Sequence, residues 1–589
     1  MIKKTIAFFI IALSFAALQP AAAQDRGSNL VWLKNKQDAL RNTDVLNNKG
    51  RQIPIVQIAG LSAASVSLDG AHGNDFNAML NKYAKVDSVS NYPGANKASY
   101  DQLNDDLKLY GTVFFQVSSK TTLNQALLNF LQEMVKSKKI VIVYLGKEDR
   151  SAFFQSLPAP LIWCKRETAE SAQIAAQTIF GGIPFGSQPA IRLQYSVPED
   201  VGINRTNLDS IALIMKEAIA AKAAPGGVVM VVKNGKVIYK EAFGKHTYTG
   251  TRAMQTGDIF DMASLTKISA TTLEVMRLVE EKRLGLDSPI SNYIARTRDM
   301  PEKSDIKVKE VMLHQAGFFP FIPFYKNLKP ADMSTVQSAQ YPTEVADNYF
   351  LRANYYKDVM WPEMLQDKIL TRGKFVYSDL SMYYMKEIVE KVGGQKMNEY
   401  LDTQFYFPLG MQTAGFLPRN RFPKDKIVPT TENDGWFRDM LVQGFVDDPG
   451  AAMAGGVSGH AGFFAAANDL AILYQMLLNK GSYGGTKYFE PATVDLFTSG
   501  QSQVSRRGLG FDRKDPDQSK GYPSFLATSE VFGHTGYTGT AVWVDPPSQL
   551  IYIFLSNRVY PDDKSKALST LNIRSRVQDV IYRAIAKGN

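Results

Sequence analysis

Ser264 and Lys267 stand three residues apart in Phe260-Asp-Met-Ala-Ser-Leu-Thr-Lys-Ile-Ser-Ala-Thr-Thr. On a helix, that spacing sets both side chains on one face, a turn apart. A serine hydroxyl at a helix start meets the positive end of the helix dipole, and the lysine amine lies within reach of its proton. Ser-x-x-Lys by itself occurs by chance on exposed helices, but two further groups follow downstream. Tyr377-Ser378-Asp379 stands just before a helical run, Leu380-Ser-Met-Tyr-Tyr-Met-Lys-Glu-Ile-Val, where a loop can point side chains into a cleft. A phenol needs a nearby cation to act as a base, and Lys267 would supply one. The third group is Gly533-His534-Thr535-Gly536-Tyr537-Thr538-Gly539. A glycine-flanked edge strand admits a substrate backbone closely, and its amides can aim at a developing oxyanion.

The elements that must hold these groups are legible in the same way. Gly227-Val-Val-Met-Val-Val and Val237-Ile-Tyr-Lys-Glu-Ala-Phe flank Asn234-Gly235, the pair a type I′ hairpin turn demands. The amphipathic run from Thr271 to Leu284, stopped by Gly285, predicts a helix carrying Ser264 at its start. Thr540-Ala-Val-Trp-Val turns at Asp545-Pro546-Pro547 and returns as Leu550-Ile-Tyr-Ile-Phe-Leu. The polar stretch from Asp512 to Gly521 reads as an exposed loop.

At 589 residues, 45% of them hydrophobic, the chain has material for more than one domain. Its net charge of +10 is spread among interspersed acids and bases, which favours a solvated surface over a nucleic-acid footprint. Neither a zinc-ligand cluster nor a Walker loop occurs, so no metal and no cofactor is expected. Lys3 and Lys4, a short apolar run and Ala21-Ala22-Ala23 predict a cleavable signal peptide over residues 1–23, hence a periplasmic protein with no membrane anchor after cleavage. The single cysteine, Cys164, lies in Leu161-Ile-Trp-Cys and reads as a buried thiol.

From Gln52 to about Gly182, strand-like and helical runs alternate. Ile53–Ala59, Gly111–Val117, Ile140–Leu145 and Leu161–Cys164 predict strands; Asp75–Tyr83, Leu123–Val135 and Ala169–Phe180 predict helices. That alternation predicts an α/β module with a mainly parallel sheet flanked by helices. The segment Glu167-Thr-Ala-Glu-Ser-Ala-Gln-Ile through Phe180-Gly-Gly-Ile-Pro-Phe-Gly resembles the end of the C-terminal α/β domain of family-3 glycoside hydrolases. That family's catalytic barrel has no room in this chain, so the module, residues 24–195, is expected to be accessory. The periodicity breaks around Ser187–Pro198, which predicts a linker.

With all three groups in hand, residues 196–589 resemble the serine β-lactamase and penicillin-binding-protein superfamily, in its class C-like branch. Ser264 and Lys267 fall on Ser-x-x-Lys, Tyr377 and Asp379 on Tyr-x-Asn, and His534-Thr535-Gly536 on Lys-Thr-Gly. The resemblance implies an α+β domain, with an antiparallel sheet built from both ends of the region and a helical subdomain inserted from about 300 to 480. It implies that Ser264 attacks a carbonyl to form an acyl-enzyme, that Lys267 and Tyr377 move the protons, and that the amides of Ser264 and Tyr537 hold the oxyanion. Two positions depart from the pattern. Asp379 exchanges an amide donor for a charged acceptor, and His534 offers less fixed charge than a lysine. Both changes weaken recognition of a carboxylate-bearing β-lactam. The expectation is an exported serine hydrolase acting on a small-molecule or peptide substrate, such as one derived from peptidoglycan: a D-amino-acid peptidase of the D-Ala-D-Ala carboxypeptidase kind, or an esterase. The alternatives are a β-lactamase and a non-catalytic peptidoglycan-binding protein. His314 and His460 could line the cleft, but satisfied core or loop histidines are the favoured reading.

Overall fold

The structure, a computed structural model, describes residues 21–41, 43–46, 62–89, 96–184 and 189–588. A helix, Ala21–Arg41, runs through the position expected for signal cleavage, and residues 1–20 lie outside the described residues, as does the strand expected at 53–59. Among the described residues no helix is long and apolar enough to cross a membrane.

The first sheet has six strands: β1 (Thr43–Leu46), β2 (Ala63–Ser67), β3 (Asp87–Val89), β4 (Thr112–Ser118), β5 (Lys139–Leu145) and β6 (Leu161–Cys164). Their order is β1-β6-β5-β4-β2-β3, parallel throughout except for β1 at one edge. β5 carries the unbroken apolar run Ile140–Leu145 that a strand covered on both faces requires, and β4 is buried along its whole length. Val113, Phe115, Ile140 and Ile142 face the helices Lys97–Leu107 and Gln125–Ser137. The alternate residues Phe114, Val141 and Val143 face the helices Gly73–Leu80 and Ala169–Phe180. The period of two thus sorts each strand onto two cores.

The segment expected to be a linker ends in a strand, β7 (Gln194–Tyr195), which pairs in parallel with β9 (Lys236–Gly244) of the second sheet. Only two residues pair, too few to leave a periodic trace in the sequence. β9 and β8 (Gly226–Lys233) form the expected hairpin, with Asn234 at φ 53° and Gly235 at φ 71°, the two positive values a type I′ turn needs. The strands Leu550–Ser556, Ala541–Asp545, Phe532–Thr535 and Asp512–Arg513 continue the sheet beyond β8, all antiparallel. Chain ends far apart in sequence therefore lie side by side, as the resemblance implied. Val229 and Val231 of β8 pack under the helices Ser210–Ala220 and Ile573–Gly588, while Val228, Met230 and Val232 face the helical half of the domain.

That helical half shares one continuous core with the first sheet's inner face. Tyr83 donates to the Leu193 carbonyl at 2.8 Å, and Tyr195 donates to Asn468 Oδ1 at 2.7 Å. Gln412 reaches the Asn81 carbonyl at 2.8 Å. Gly410, at φ 81°, sits so close that a β-carbon there would come within 2.5 Å of the Tyr83 carbonyl oxygen.

Candidate active site

The nucleophile segment begins in a short 3₁₀ turn, Ala263–Leu265, widens through a π-turn, Lys267–Thr271, and becomes α-helical over Thr272–Glu280. The sequence predicts a plain helix here. A π-turn marks an inserted residue and is common at functional sites. Ala263, just before the serine, has φ 45°, a conformation unfavourable to any residue with a β-carbon. Asp261 holds it there by accepting the Ala263 N–H at 2.8 Å, and it accepts the Asp447 N–H at 2.7 Å as well. Burial, reinforced by neighbouring Asp447, pushes the Asp261 carboxyl up to about 7.

Ser264 Oγ lies 2.9 Å from Lys267 Nζ and 2.9 Å from the Tyr377 hydroxyl. The expected convergence of hydroxyl, amine and phenol is thus present in the geometry. Tyr377 stands in the loop before the helix Leu380–Gly393. Asp379 at that helix start makes no capping bond through its side chain; its carboxylate instead accepts from Lys267 Nζ at 2.7 Å. Lys267 also donates to the His460 carbonyl at 3.2 Å and is fully buried. Burial pulls the amine down, but the Asp379 carboxylate and the Tyr377 oxygen outweigh it, and Lys267 ends above the ordinary lysine value. It therefore stays an ammonium at neutral pH, and Ser264 Oγ accepts from both the Lys267 ammonium and the Tyr377 hydroxyl.

His534 occupies the wall position expected of it, though its strand is not a simple edge. Asp512 and Arg513 pair with Gly533 and Phe532, so the free edge begins only at His534 and Thr535. His534 Nδ1 lies 2.7 Å from the Thr535 carbonyl, and Nε2 lies 3.0 Å from Arg507 Nη1. The ring is thus protonated on Nδ1, and burial together with the Arg507 guanidinium pushes it down to about 3. It is neutral at any working pH. Beyond it the chain turns at Gly536, whose N–H donates to the Thr540 carbonyl at 2.8 Å, and Tyr537 projects half-exposed over the cleft.

Sequence reading missed four of the surrounding groups. Arg507 is buried, with its guanidinium carbon 5.3 Å from the centre of the Tyr377 ring. The stretch 512–521 is not wholly exposed, because Asp512 and Asp515 are buried where they pair with Arg506. His460, read as a core or loop residue, lines the cleft and bonds through Nε2 to Asp448 at 2.8 Å and through Nδ1 to Ser458 at 3.0 Å. Burial raises Asp448, but His460 overrides it and holds the carboxyl below its ordinary value. His314 is buried against the Tyr377 ring at 4.7 Å and is not fully satisfied: its Nδ1 accepts the Ser378 N–H at 3.3 Å, while Nε2 has no partner among the described residues. Burial and the nearby Arg507 keep it neutral, well below the usual histidine value. The local signals were the polarity of Asp512 and Asp515 near Arg506 and the Ser458–His460 pair, whereas the contacts of Arg507 and His314 with Tyr377 join distant parts of the chain.

A cavity of about 480 Å³ opens above Ser264. Asp379, Asp448, Asp562 and Asp563 line it, with Phe321, Tyr325, Trp436 and Tyr537 forming an aromatic wall. Trp436 and Tyr325 lie 4.4 Å apart, and Asp434 fixes their loop by accepting the N–H groups of Phe437 and Arg438 at 3.1 and 2.9 Å. Asp379, Asp448 and His460 bring donor atoms within 4.8 Å of one another, but the Lys267 ammonium on Asp379 already supplies the positive charge there.

A serine paired with a buried lysine and a tyrosine, on a helix beside an antiparallel sheet, defines a serine hydrolase of the β-lactamase and penicillin-binding-protein type. The β-lactamase family model matches residues 211–574, and the chain belongs to that family. It is similar to a protein named "Putative D-alanyl-D-alanine carboxypeptidase" from Escherichia coli O157:H7, 30% identical over 394 residues, covering 62% of this chain and 86% of that protein. It is also similar to the N-acetylmuramyl-L-alanine amidase of Bacillus subtilis (strain 168), 32% identical over 370 residues, covering 58% of this chain and 79% of that protein. A solved penicillin-binding-protein homologue from Caulobacter crescentus aligns with a TM-score of 0.46 at 17% identity, over 64% of this chain and 97% of its own.

Proposed function

We propose that this protein is an exported serine amidase that cleaves an amide in a peptidoglycan-derived fragment through a Ser264 acyl-enzyme. With its own proton given up to solvent and the phenolate held by the Lys267 ammonium, Tyr377 takes the Ser264 proton as Oγ bonds to the carbonyl carbon, and the carbonyl electrons move onto oxygen, held by the amides of Ser264 and Tyr537. Tyr377 then returns the proton to the leaving nitrogen, and water repeats the sequence to free the acid. Lys267, locked as an ammonium by Asp379, steadies the phenolate rather than accepting the proton itself. Thr535 and Gly536 form the strand end along which the substrate lies. Residues 1–23 are read as its signal peptide, residues 24–195 as an accessory α/β module akin to the C-terminal domain of family-3 glycoside hydrolases, and residues 196–589 as the hydrolase.

The observation that carries this reading is the 2.9 Å contact of Ser264 with both Lys267 and Tyr377, beneath a cleft rich in carboxylates and aromatic rings. The neutral His534 supports a leaving amine without a free carboxylate beside the scissile bond, as at a sugar–peptide amide, over a β-lactam or a C-terminal D-Ala-D-Ala. Aromatic faces with nearby carboxylate acceptors suit sugar hydroxyls. The names of the two relatives support both an amidase and a carboxypeptidase, so the decisive comparison is direct. Wild type and Ser264→Ala are incubated with N-acetylmuramyl-L-alanyl peptide and with acyl-D-Ala-D-Ala, and the products are resolved by mass. Cleavage of the first by wild type alone is expected. Cleavage of only the second makes the protein a carboxypeptidase, and Ser264-independent cleavage or none at all refutes the proposal.

A further inference from the structure

Arg507 is the buried cation near the site that the reaction as described leaves unused. Its Nη1 reaches a neutral imidazole, His534, at 3.0 Å, and its Nε has no hydrogen-bond partner among the described residues. Among the described residues its one acid is Asp512, at 3.6 Å, and that carboxylate is held by Arg506 with bonds of 2.7 and 2.9 Å. Tyr522 donates to the same carboxylate, while Asp515 is shared between Arg506 and Lys520. Arg507 therefore shares its counter-charge with Arg506 and makes no hydrogen bond of its own to it. On the other side lie Phe375 and Tyr377, with ring centres 5.5 and 5.3 Å from the guanidinium carbon. The titratable and charged groups around Tyr377 are Lys267 on the nucleophile helix, Asp379 on its own loop, His314 after the helix Val308–Met312, His534 on the sheet and Arg507. Both histidines are uncharged, so Lys267 and Arg507 are the two cations on the phenol, and Asp379 claims the first.

We infer that Arg507 is a positioning residue for the reaction: acting through Tyr377 and held by His534, its guanidinium supplies the second positive charge that a phenolate at Tyr377 meets when Ser264 attacks. A lysine at position 534 would place that charge on the strand itself; here it stands one residue deeper, behind an imidazole. The cleft wall is thereby left neutral where substrate passes, while the base keeps its cation. The inference rests on the reading of Ser264 as nucleophile and Tyr377 as its base.

The test is the rate of Ser264 labelling by a fluorescent fluorophosphonate from pH 5 to 10, in wild type, Arg507→Gln, Arg507→Lys and Asp512→Asn. With one cation fewer, the anionic form of the base is harder to reach. The rising limb of the Arg507→Gln profile should move up by about one pH unit, with labelling about tenfold slower at pH 7 and near wild type on the alkaline plateau. Arg507→Lys should recover most of the shift, and Asp512→Asn, which strips a counter-charge, should move the limb the other way. A limb unmoved in folded Arg507→Gln, or a rate lowered by one factor at every pH in both Arg507 variants, overturns the inference. If Arg507→Gln does not fold, an Asp512→Asn limb that stays put or rises overturns it equally. Labelling that persists in Ser264→Ala defeats the underlying reading instead, whatever the Arg507 variants do.

Discussion

Replacing Asp379 by asparagine tests the electrostatic core of the site. The change keeps the size of the side chain and one neutral acceptor, and removes the charge that lies 2.7 Å from the Lys267 ammonium. At an effective dielectric of about 20, two unit charges at that separation interact by about 6 kcal/mol. Desolvation of both groups offsets part of this, and breaking a buried pair on one side costs about 3–5 kcal/mol. Lys267 is wholly buried while the Asp379 side chain keeps 22% of its exposure, and the His460 carbonyl remains as a partner at 3.2 Å. Those facts place the loss near the lower bound, about 3 kcal/mol at neutral pH. The sign with pH follows from Lys267 being raised in the folded state. Its contribution is complete below the unfolded lysine value of about 10.4 and fades as pH rises through the folded value. The gap between wild type and Asp379→Asn should accordingly be flat across neutral pH and narrow above about 10. Isothermal urea unfolding followed by tryptophan fluorescence at several pH values measures it. A variant within about 0.5 kcal/mol of wild type at pH 7 would show that the pair contributes nothing and that Lys267 is not held as an ammonium by Asp379.

Tyr377→Phe removes the proton acceptor and keeps the ring between Lys267 and His314; kcat should fall by about 10²–10⁴ with KM little changed, and a drop under threefold would move the base elsewhere. Glu274 is buried in the nucleophile helix with neither carboxylate oxygen bonded among the described residues, and burial with nearby Glu390 pushes it up to about 8. Its folded value lies above its unfolded one, so it subtracts stability progressively from about pH 4 to pH 8; Glu274→Gln should be more stable than wild type by about 2 kcal/mol at pH 9 and indistinguishable at pH 4 by urea unfolding. Cys164 is buried and its thiol is pushed up to about 12 by that burial, so Ellman's reagent at pH 8 should leave the folded protein untouched and titrate one thiol after unfolding.

The helix of Ser264 and Lys267, the loop of Tyr377 and the hairpin at Asn234-Gly235 were legible because each is fixed by residues within a few positions of one another. The strands β4, β5 and β6 and the helix Ala169–Phe180 were legible for the same reason. Roles that depend on distant partners were not. Asp379 looked like a substrate contact until the fold set it on Lys267, 112 positions away. His460 could not be told from a core histidine, because what makes it part of the site is a carbonyl bond to a lysine 193 positions earlier. Asp512 looked like part of an exposed loop and Arg507 carried no mark at all, since charge patterning cannot show which charges a sheet edge will cover. The π-turn at Lys267–Thr271 has no local signature: its residues would suit an ordinary helix equally well.

The seam between the first sheet and the helical half carries a consequence for how the cleft can breathe. Tyr83, Tyr195 and Phe180 lock rings across it, with Tyr83 stacked on Phe180 at 5.2 Å and edge-on to Tyr195 at 5.6 Å, and Gly410 meets Tyr83 too tightly for any side chain. Two bodies joined in that way cannot part like jaws without tearing apolar surface into water. Substrate entry and product escape must therefore be accommodated on the far rim, where the Trp436 loop leans on Tyr325. The first sheet thus stands behind the helical half as a buttress.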